Sequence, residues 1–261
     1  MRNLFLILNT NQNKGMIDQF LKSNDFIVVR PTEGLCNKIR VIAWAYDCAK
    51  QLNKDLFVEW GRIKGKNNRC PGHFYALFKK IKGIHFFPND RFKEQPKADW
   101  SGNDAPNESI NKSAQTQINF AKLLKPVDEI KEKINSNLSK LGPRFISIHI
   151  RRVDGDKQVM QKNRREYEEY INFIDSYPNH NIYIAADNRD SQLFFQKKYK
   201  ERIKSIKIIE ENNNLRKTSL EDAVIDMWTC SHADHFMGQP SSSFSAWIKI
   251  LIKANETKNK S

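Results

Sequence analysis

The chain has 261 residues, 39% of them hydrophobic, with 16 Phe and 5 Trp, enough to bury a core and to exclude a wholly disordered protein. No apolar run approaches the roughly 18 residues that span a bilayer, and the stretch at 4–8 is too short for a signal-peptide core, so the expectation is a cytoplasmic protein. Lysine and arginine outnumber aspartate and glutamate by 44 to 30, and the formal charge of +14 favours phosphate-bearing partners: nucleic acid, anionic lipid or nucleotide-sugar.

Residues 1–24 are polar and irregular. A short β-branched run, Asp25-Phe-Ile-Val-Val-Arg30, then reads as a buried strand that stops at Pro31. A turn through Gly34 leads to a helix over 37–53, with Ile39, Ile42, Ala43, Tyr46 and Ala49 on one stripe. Leu56-Phe-Val-Glu-Trp60 is the next strand, which completes a strand–helix–strand unit of a parallel sheet. From 88 to about 117 the chain is rich in Pro, Asn, Asp and Ser and reads as a long loop or set of loops. A helix over 126–140 precedes Gly142-Pro143, taken as the domain boundary: an irregular segment 1–24, an N-terminal domain 25–141 and a C-terminal domain 142–261.

The second half alternates more cleanly. Strands are expected at 145–150, 181–186, 206–210 and 235–238, with helices at 164–177, 189–199, 220–231 and 243–253. Four βα units in series predict a Rossmann-like domain whose ligand binds beyond the carboxyl ends of the strands. The dinucleotide fingerprint G-x-G-x-x-G is absent.

The polar residues at those strand ends are His149, Arg151, Arg152, Asp154, Asp156, Asp187 and the run Gln239-Pro-Ser-Ser-Ser243. Free N–H groups at a helix start, with serine hydroxyls, suit a phosphate. Two adjacent arginines can contact the same phosphate group, and an Asp at a neighbouring strand end suits a ribose hydroxyl or a guanine edge. Taken singly, Arg151 also suits a surface ion pair and the serines a helix cap. Asp154-Gly-Asp156 matches the D-x-D pattern that holds Mn²⁺ or Mg²⁺ in many sugar transferases, but the arginines just upstream can neutralise a diphosphate themselves and compete with a divalent ion. The reading is therefore a metal-independent site with no cofactor.

The cysteines at 36, 48, 70 and 230 show no paired spacing, which fits a reducing compartment. Cys70-x-x-His73 and Cys230-Ser-His232 with His235 contain zinc-ligand types, yet 228–238 reads as a helix end entering a buried strand, which favours structural histidines.

His149-Ile-Arg-Arg-Val-Asp154 resembles the H-x-R-R-x-D motif of GDP-fucose-using transferases: the α1,2-, α1,6- and protein O-fucosyltransferases and the rhizobial nodulation fucosyltransferases. Tyr183-Ile-Ala-Ala-Asp187-Asn188 is similar to their second motif, and Asp226-Met-Trp-Thr-Cys230 through Gly238-Gln-Pro-Ser-Ser-Ser-Phe-Ser-Ala-Trp247 to their third. Arg30-Pro-Thr-Glu-Gly-Leu-Cys-Asn-Lys-Ile-Arg40 is similar to their first loop, with Cys36 where a Gly is commoner.

The resemblance implies an α/β fold of GT-B type, two Rossmann-like domains with mostly parallel sheets facing across a cleft. The GDP-sugar would sit mainly on the C-terminal one. It implies inverting transfer of L-fucose from GDP-β-L-fucose to a glycan or protein hydroxyl. Arg151 would hold the β-phosphate and stabilise departing GDP, beside Arg152. His149 and Asp187 would fix the nucleoside. Ser241, Ser242, Ser243 and the Phe244 backbone would cradle the diphosphate, and Gly34 and Asn37 would close over it. Glu33 falls where one family branch has its catalytic base, with Asp154 or the leaving phosphate as alternatives. Two readings compete: a transferase for another GDP-sugar, and a basic nucleic-acid or nucleotide-binding module without catalysis. The latter lacks the aromatic residues interleaved with basic runs that single-strand binders use, so no nucleic-acid partner is expected.

Overall fold

The computed structural model describes residues 25–60, 70, 72–88, 100–102, 114–152, 164–204 and 219–257. Two compact units divide it, Met1–Lys125 and Pro126–Ser261. Both are built on parallel sheets, as the sequence pattern predicts.

In the first unit, β1 (Phe26–Pro31), β2 (Asp55–Trp60), β3 (Ile84–Pro88) and β4 (Trp100–Gly102) form one sheet in the order β3-β2-β1-β4, all parallel. Parallel neighbours need a crossover, and α1 (Leu35–Leu52) supplies it between β1 and β2. Its buried stripe carries Leu35, Ile39, Ile42, Ala45 and Ala49. Asn53 ends it in the left-handed region at φ 52°, and its N–H returns to the Ala49 and Lys50 carbonyls. Below the sheet edge Phe74 stacks on Phe86 with centroids 3.6 Å apart and meets Trp60 edge-on. α2 (Ala114–Leu123) closes the unit against α1. The stretch read as loop thus begins in a strand and ends in a helix, with β4 set in its middle against β1.

The second unit opens with α3 (Asp128–Leu141) and continues β5 (Phe145–Ile150), α4 (Tyr167–Asp175), β6 (Asn181–Ala186), α5 (Arg189–Tyr199), α6 (Leu220–Cys230), β7 (His235–Met237) and α7 (Ser243–Glu256). The sheet order is β6-β5-β7, all parallel. All six residues of β5 are buried, as a central parallel strand covered on both faces requires. Ile146, Ile148, Ile150, Tyr170, Ile174, Ile182, Ile184 and Phe195 form the core around it. The chain leaves β5 for β6 on one side and returns to β7 on the other, which puts a topological switch point between β5 and β7. The strand expected at 206–210 lies outside the described residues; next to it, Ile203 bridges Ile182 on β6.

α3, placed before the expected boundary at 142, packs here on α6 and β6 and belongs to the second unit. Asn137 Nδ2 donates to the Tyr183 hydroxyl (3.4 Å), and Asn181 Nδ2 donates to the Leu141 carbonyl (2.7 Å). Among the described residues no helix is long and apolar enough to cross a membrane.

Candidate active site

The carboxyl ends of β5, β6 and β7 lie side by side, with Ile150 opposite Ala186 and Ile148 opposite Met237. The residues that follow them therefore share one sheet edge. From β5 come Arg151 and Arg152, from β6 Asp187, and from β7 the segment 238–242 that enters α7.

His149 occupies the centre of this edge. Its Nδ1 lies 2.7 Å from Ser245 Oγ, in the first turn of α7, and its ring leans on Phe244 with centroids 4.7 Å apart. Burial, and then the Arg151 charge, push its pKa down from 6.5 to about 3, so the ring is neutral. Ser242 caps α7 by accepting the Ser245 N–H (3.4 Å). Before it, Ser241 sits in the left-handed region at φ 58°, and the Ser242 N–H returns to the Gln239 carbonyl (3.4 Å). This turn aims the start of a helix 14 residues long, whose first N–H groups have no intrahelical acceptor, at the β5 end. Gly238 permits the approach: a Cβ there would stand 2.6 Å from Ser245 Oγ and 2.8 Å from Phe236 Cζ.

Arg151, half-buried, is the first residue after β5. Arg152 is the next residue. Its backbone N–H donates to Asp187 Oδ1 (2.7 Å), its Nη2 donates to the Arg165 carbonyl (2.9 Å), and its guanidinium lies 4.7 Å from the Tyr167 ring centroid. Through its backbone N–H, Arg152 ties the ends of β5 and β6 together. Asp154 and Asp156 lie outside the described residues.

In the first unit, Glu33 is exposed at φ 67° in the turn after β1, and its carbonyl accepts the Cys70 thiol (3.8 Å). Gly34, φ −74°, is the N-cap of α1, and Asn37 Oδ1 accepts Arg40 Nη2 (3.4 Å). Arg30 pairs with the buried Glu59 carboxylate, and the Lys38 ammonium lies 4.9 Å from the Trp60 ring centroid. Burial lowers the Lys38 pKa against the opposing pull of Cys70 and Glu59.

None of the four cysteines forms a disulfide, and all are buried. The zinc fragments have other contacts: Cys70 on the Glu33 carbonyl, His232 Nδ1 2.8 Å from the Trp228 carbonyl, and His235 stacked on Tyr177. Among the described residues no three His, Cys, Asp or Glu side chains group as metal ligands.

Sequence reasoning passed over two residues of this edge. Tyr170 and Arg165 touch the segment after β7 directly: the Tyr170 hydroxyl reaches Gln239 Oε1 (3.2 Å) and Arg165 Nε donates to the Gly238 carbonyl (3.0 Å).

The family model of the GDP-fucose protein O-fucosyltransferases matches residues 45–251. The chain belongs to that family. No curated protein sequence matches it. Among solved structures it is similar to the α1,6-fucosyltransferase NodZ soaked with GDP-fucose, at 12% identity and a TM-score of 0.61, over 88% of this chain and 93% of that one. NodZ from Bradyrhizobium gives 12% identity and a TM-score of 0.58, over 88% and 94%. POFUT1 in complex with GDP gives 13% identity and a TM-score of 0.57, over 87% and 94%. At such identities the likeness is one of fold. This member of the O-fucosyltransferase family is a glycosyltransferase.

Proposed function

We propose that this protein transfers L-fucose from GDP-β-L-fucose, with inversion and without a divalent ion, to a hydroxyl of a glycan or protein acceptor. What supports the reading is the chain order at the β5/β7 switch point: Arg151 follows the end of β5, the Ser242-capped start of α7 follows β7, and the His149–Ser245 contact joins the two elements. An arginine and a helix start aimed at one crevice are complementary to a pyrophosphate. Family membership supplies the sugar and the nucleotide.

Breaking the anomeric C–O bond loads negative charge on the leaving diphosphate and positive charge on the sugar ring. A preorganised guanidinium at the leaving oxygen binds the transition state more tightly than the ground state, which is the requirement for acceleration. Arg151 takes that role, with the α7 N–H groups, Ser241, Ser242, Ser243 and the Phe244 backbone around the diphosphate. Asp187 and His149 hold the nucleoside end. Arg152 fixes the Asp187 carboxylate in place through its backbone N–H. Glu33 serves as the base for the acceptor hydroxyl, with Asp154 second, and Gly34 and Asn37 contribute to donor binding. The arginine and helix-start charges perform the neutralisation that a D-x-D metal performs elsewhere, and this supports metal independence.

The test is hydrolysis and transfer from a panel of sugar nucleotides against a glycan array, with and without EDTA. GDP-fucose is expected to be consumed equally in both. Arg151→Ala is expected to weaken GDP binding and lower turnover by about 10²- to 10³-fold. Near-normal turnover of that variant, or consumption of a different nucleotide, overturns the assignment.

A further inference from the structure

Adjacent carbonyls of a β-strand point to opposite neighbours. On β5, Ile150 O accepts the Asp187 N–H on the β6 side (3.4 Å), while Phe145 O accepts the Asp234 N–H on the β7 side (2.9 Å). His149 shares the parity of Phe145, so its carbonyl faces β7. But β7 ends at Met237, opposite Ile148, and the chain turns away at Gly238. Among the described residues the His149 carbonyl therefore has no strand partner, and a buried acceptor needs a donor from elsewhere.

Tyr170 is that donor. It projects from α4 with no exposed surface, and its hydroxyl lies 3.0 Å from the His149 carbonyl and 3.2 Å from Gln239 Oε1. Burial raises its pKa, which keeps the phenol protonated. Gln239, 2% exposed, also accepts the Arg165 N–H (3.4 Å). Arg165 Nε donates to the Gly238 carbonyl (3.0 Å), and its Nη1 pairs with Glu169, whose other oxygen accepts the Glu166 N–H and completes the α4 capping box. The start of α4 thus grips 238–239, and a single phenol links that grip to β5.

We propose that Tyr170 is a positioning residue of the donor site: its hydroxyl bridges the divergence of β5 and β7 and sets the spacing between Arg151 and the Ser242-capped helix start, so that both reach one diphosphate. The proposal rests on the nucleotide-binding reading above. It separates from that reading because the unaltered protein is measured first: failure of the parent to bind GDP sinks the donor site itself, whereas the comparison below sinks only the bridge.

Tyr170→Phe keeps the ring and removes only the hydroxyl. In the full chain, GDP titration well below the thermal transition of either protein is expected to show roughly tenfold weaker binding. With GDP-fucose, the donor KM is expected to rise and kcat to fall together, since a displaced Arg151 stabilises the leaving group less. A purely structural tyrosine would lower the melting midpoint and leave the GDP affinity of the folded protein unchanged. Gln239→Met removes the other end of the bridge, so Tyr170→Phe/Gln239→Met is expected to bind GDP within about twofold of the weaker single variant. GDP affinity of Tyr170→Phe within about twofold of the parent, or multiplicative losses in the double variant, overturns the proposal. If Tyr170→Phe does not fold, Arg165→Met loosens the same grip from the surface side, and there an unchanged GDP affinity overturns it equally.

Discussion

Acidification is expected to weaken this protein through His149. Its ring is buried, bonded to Ser245 and held neutral, with a pKa of about 3 against 6.5 in the unfolded chain. Between those values the unfolded state binds more protons than the native one, so this residue's contribution is complete above pH 6.5 and is lost as the pH falls toward 3. The slope approaches about 1.4 kcal/mol per pH unit, which gives a loss of about 2 kcal/mol between pH 7 and pH 5. Other groups titrate in the same window, so the measurement is a difference. His149→Asn cannot titrate, and the space left by its smaller side chain costs the same at each pH. Urea unfolding of parent and variant at pH 7, 6 and 5 is expected to show the parent's advantage shrinking by about 2 kcal/mol as the pH drops. Parallel stability curves would refute the claim that a neutral imidazole is locked between Arg151 and α7.

Gly238→Ala drives a methyl group into Ser245 and Phe236. It is expected to cost about 1–3 kcal/mol and to weaken GDP binding by moving α7; a parent-like melting midpoint contradicts the packing argument. Ser242→Ala removes the cap of α7 at a cost of about 1 kcal/mol, whereas Ser242→Gly costs only about a few tenths; equal losses in denaturant unfolding would show that the hydroxyl is not what caps the helix. Glu33→Gln is expected to leave GDP affinity intact and abolish fucose transfer, and full activity would move the base elsewhere.

Much of the architecture is legible because the central strands are fully buried. Phe145-Ile-Ser-Ile-His-Ile150 and Asn181-Ile-Tyr-Ile-Ala-Ala186 are short runs rich in isoleucine, buried along all or nearly all of their length as parallel strands covered on both faces require, and their bounds match the expected ones. β4 could not be read this way: Trp100-Ser-Gly102 is three residues with no alternation, and what makes it a strand is backbone pairing with Val29, Arg30 and Pro31 far away in sequence. α3 was legible as an amphipathic helix from Ile130, Ile134 and Leu141, but the surface that covers that stripe is a tertiary matter. At the site, Arg151, Asp187 and Ser242 stood out because each follows a strand. Tyr170 did not, since within α4 it reads as one more apolar position beside Ile171 and Phe173, and only the shortness of β7 gives its hydroxyl a task.

Where α3 belongs also decides how the chain can be divided. Cleavage after Lys125 would leave a C-terminal half that carries its own shield over α6, with Asn137 still against Tyr183 and Leu141 still tied to Asn181. A fragment starting at Gly142 would lack that shield and present a wetted apolar strip along α6 and β6, the kind of surface that draws copies of a polypeptide together. An autonomous C-terminal half should therefore begin at Pro126.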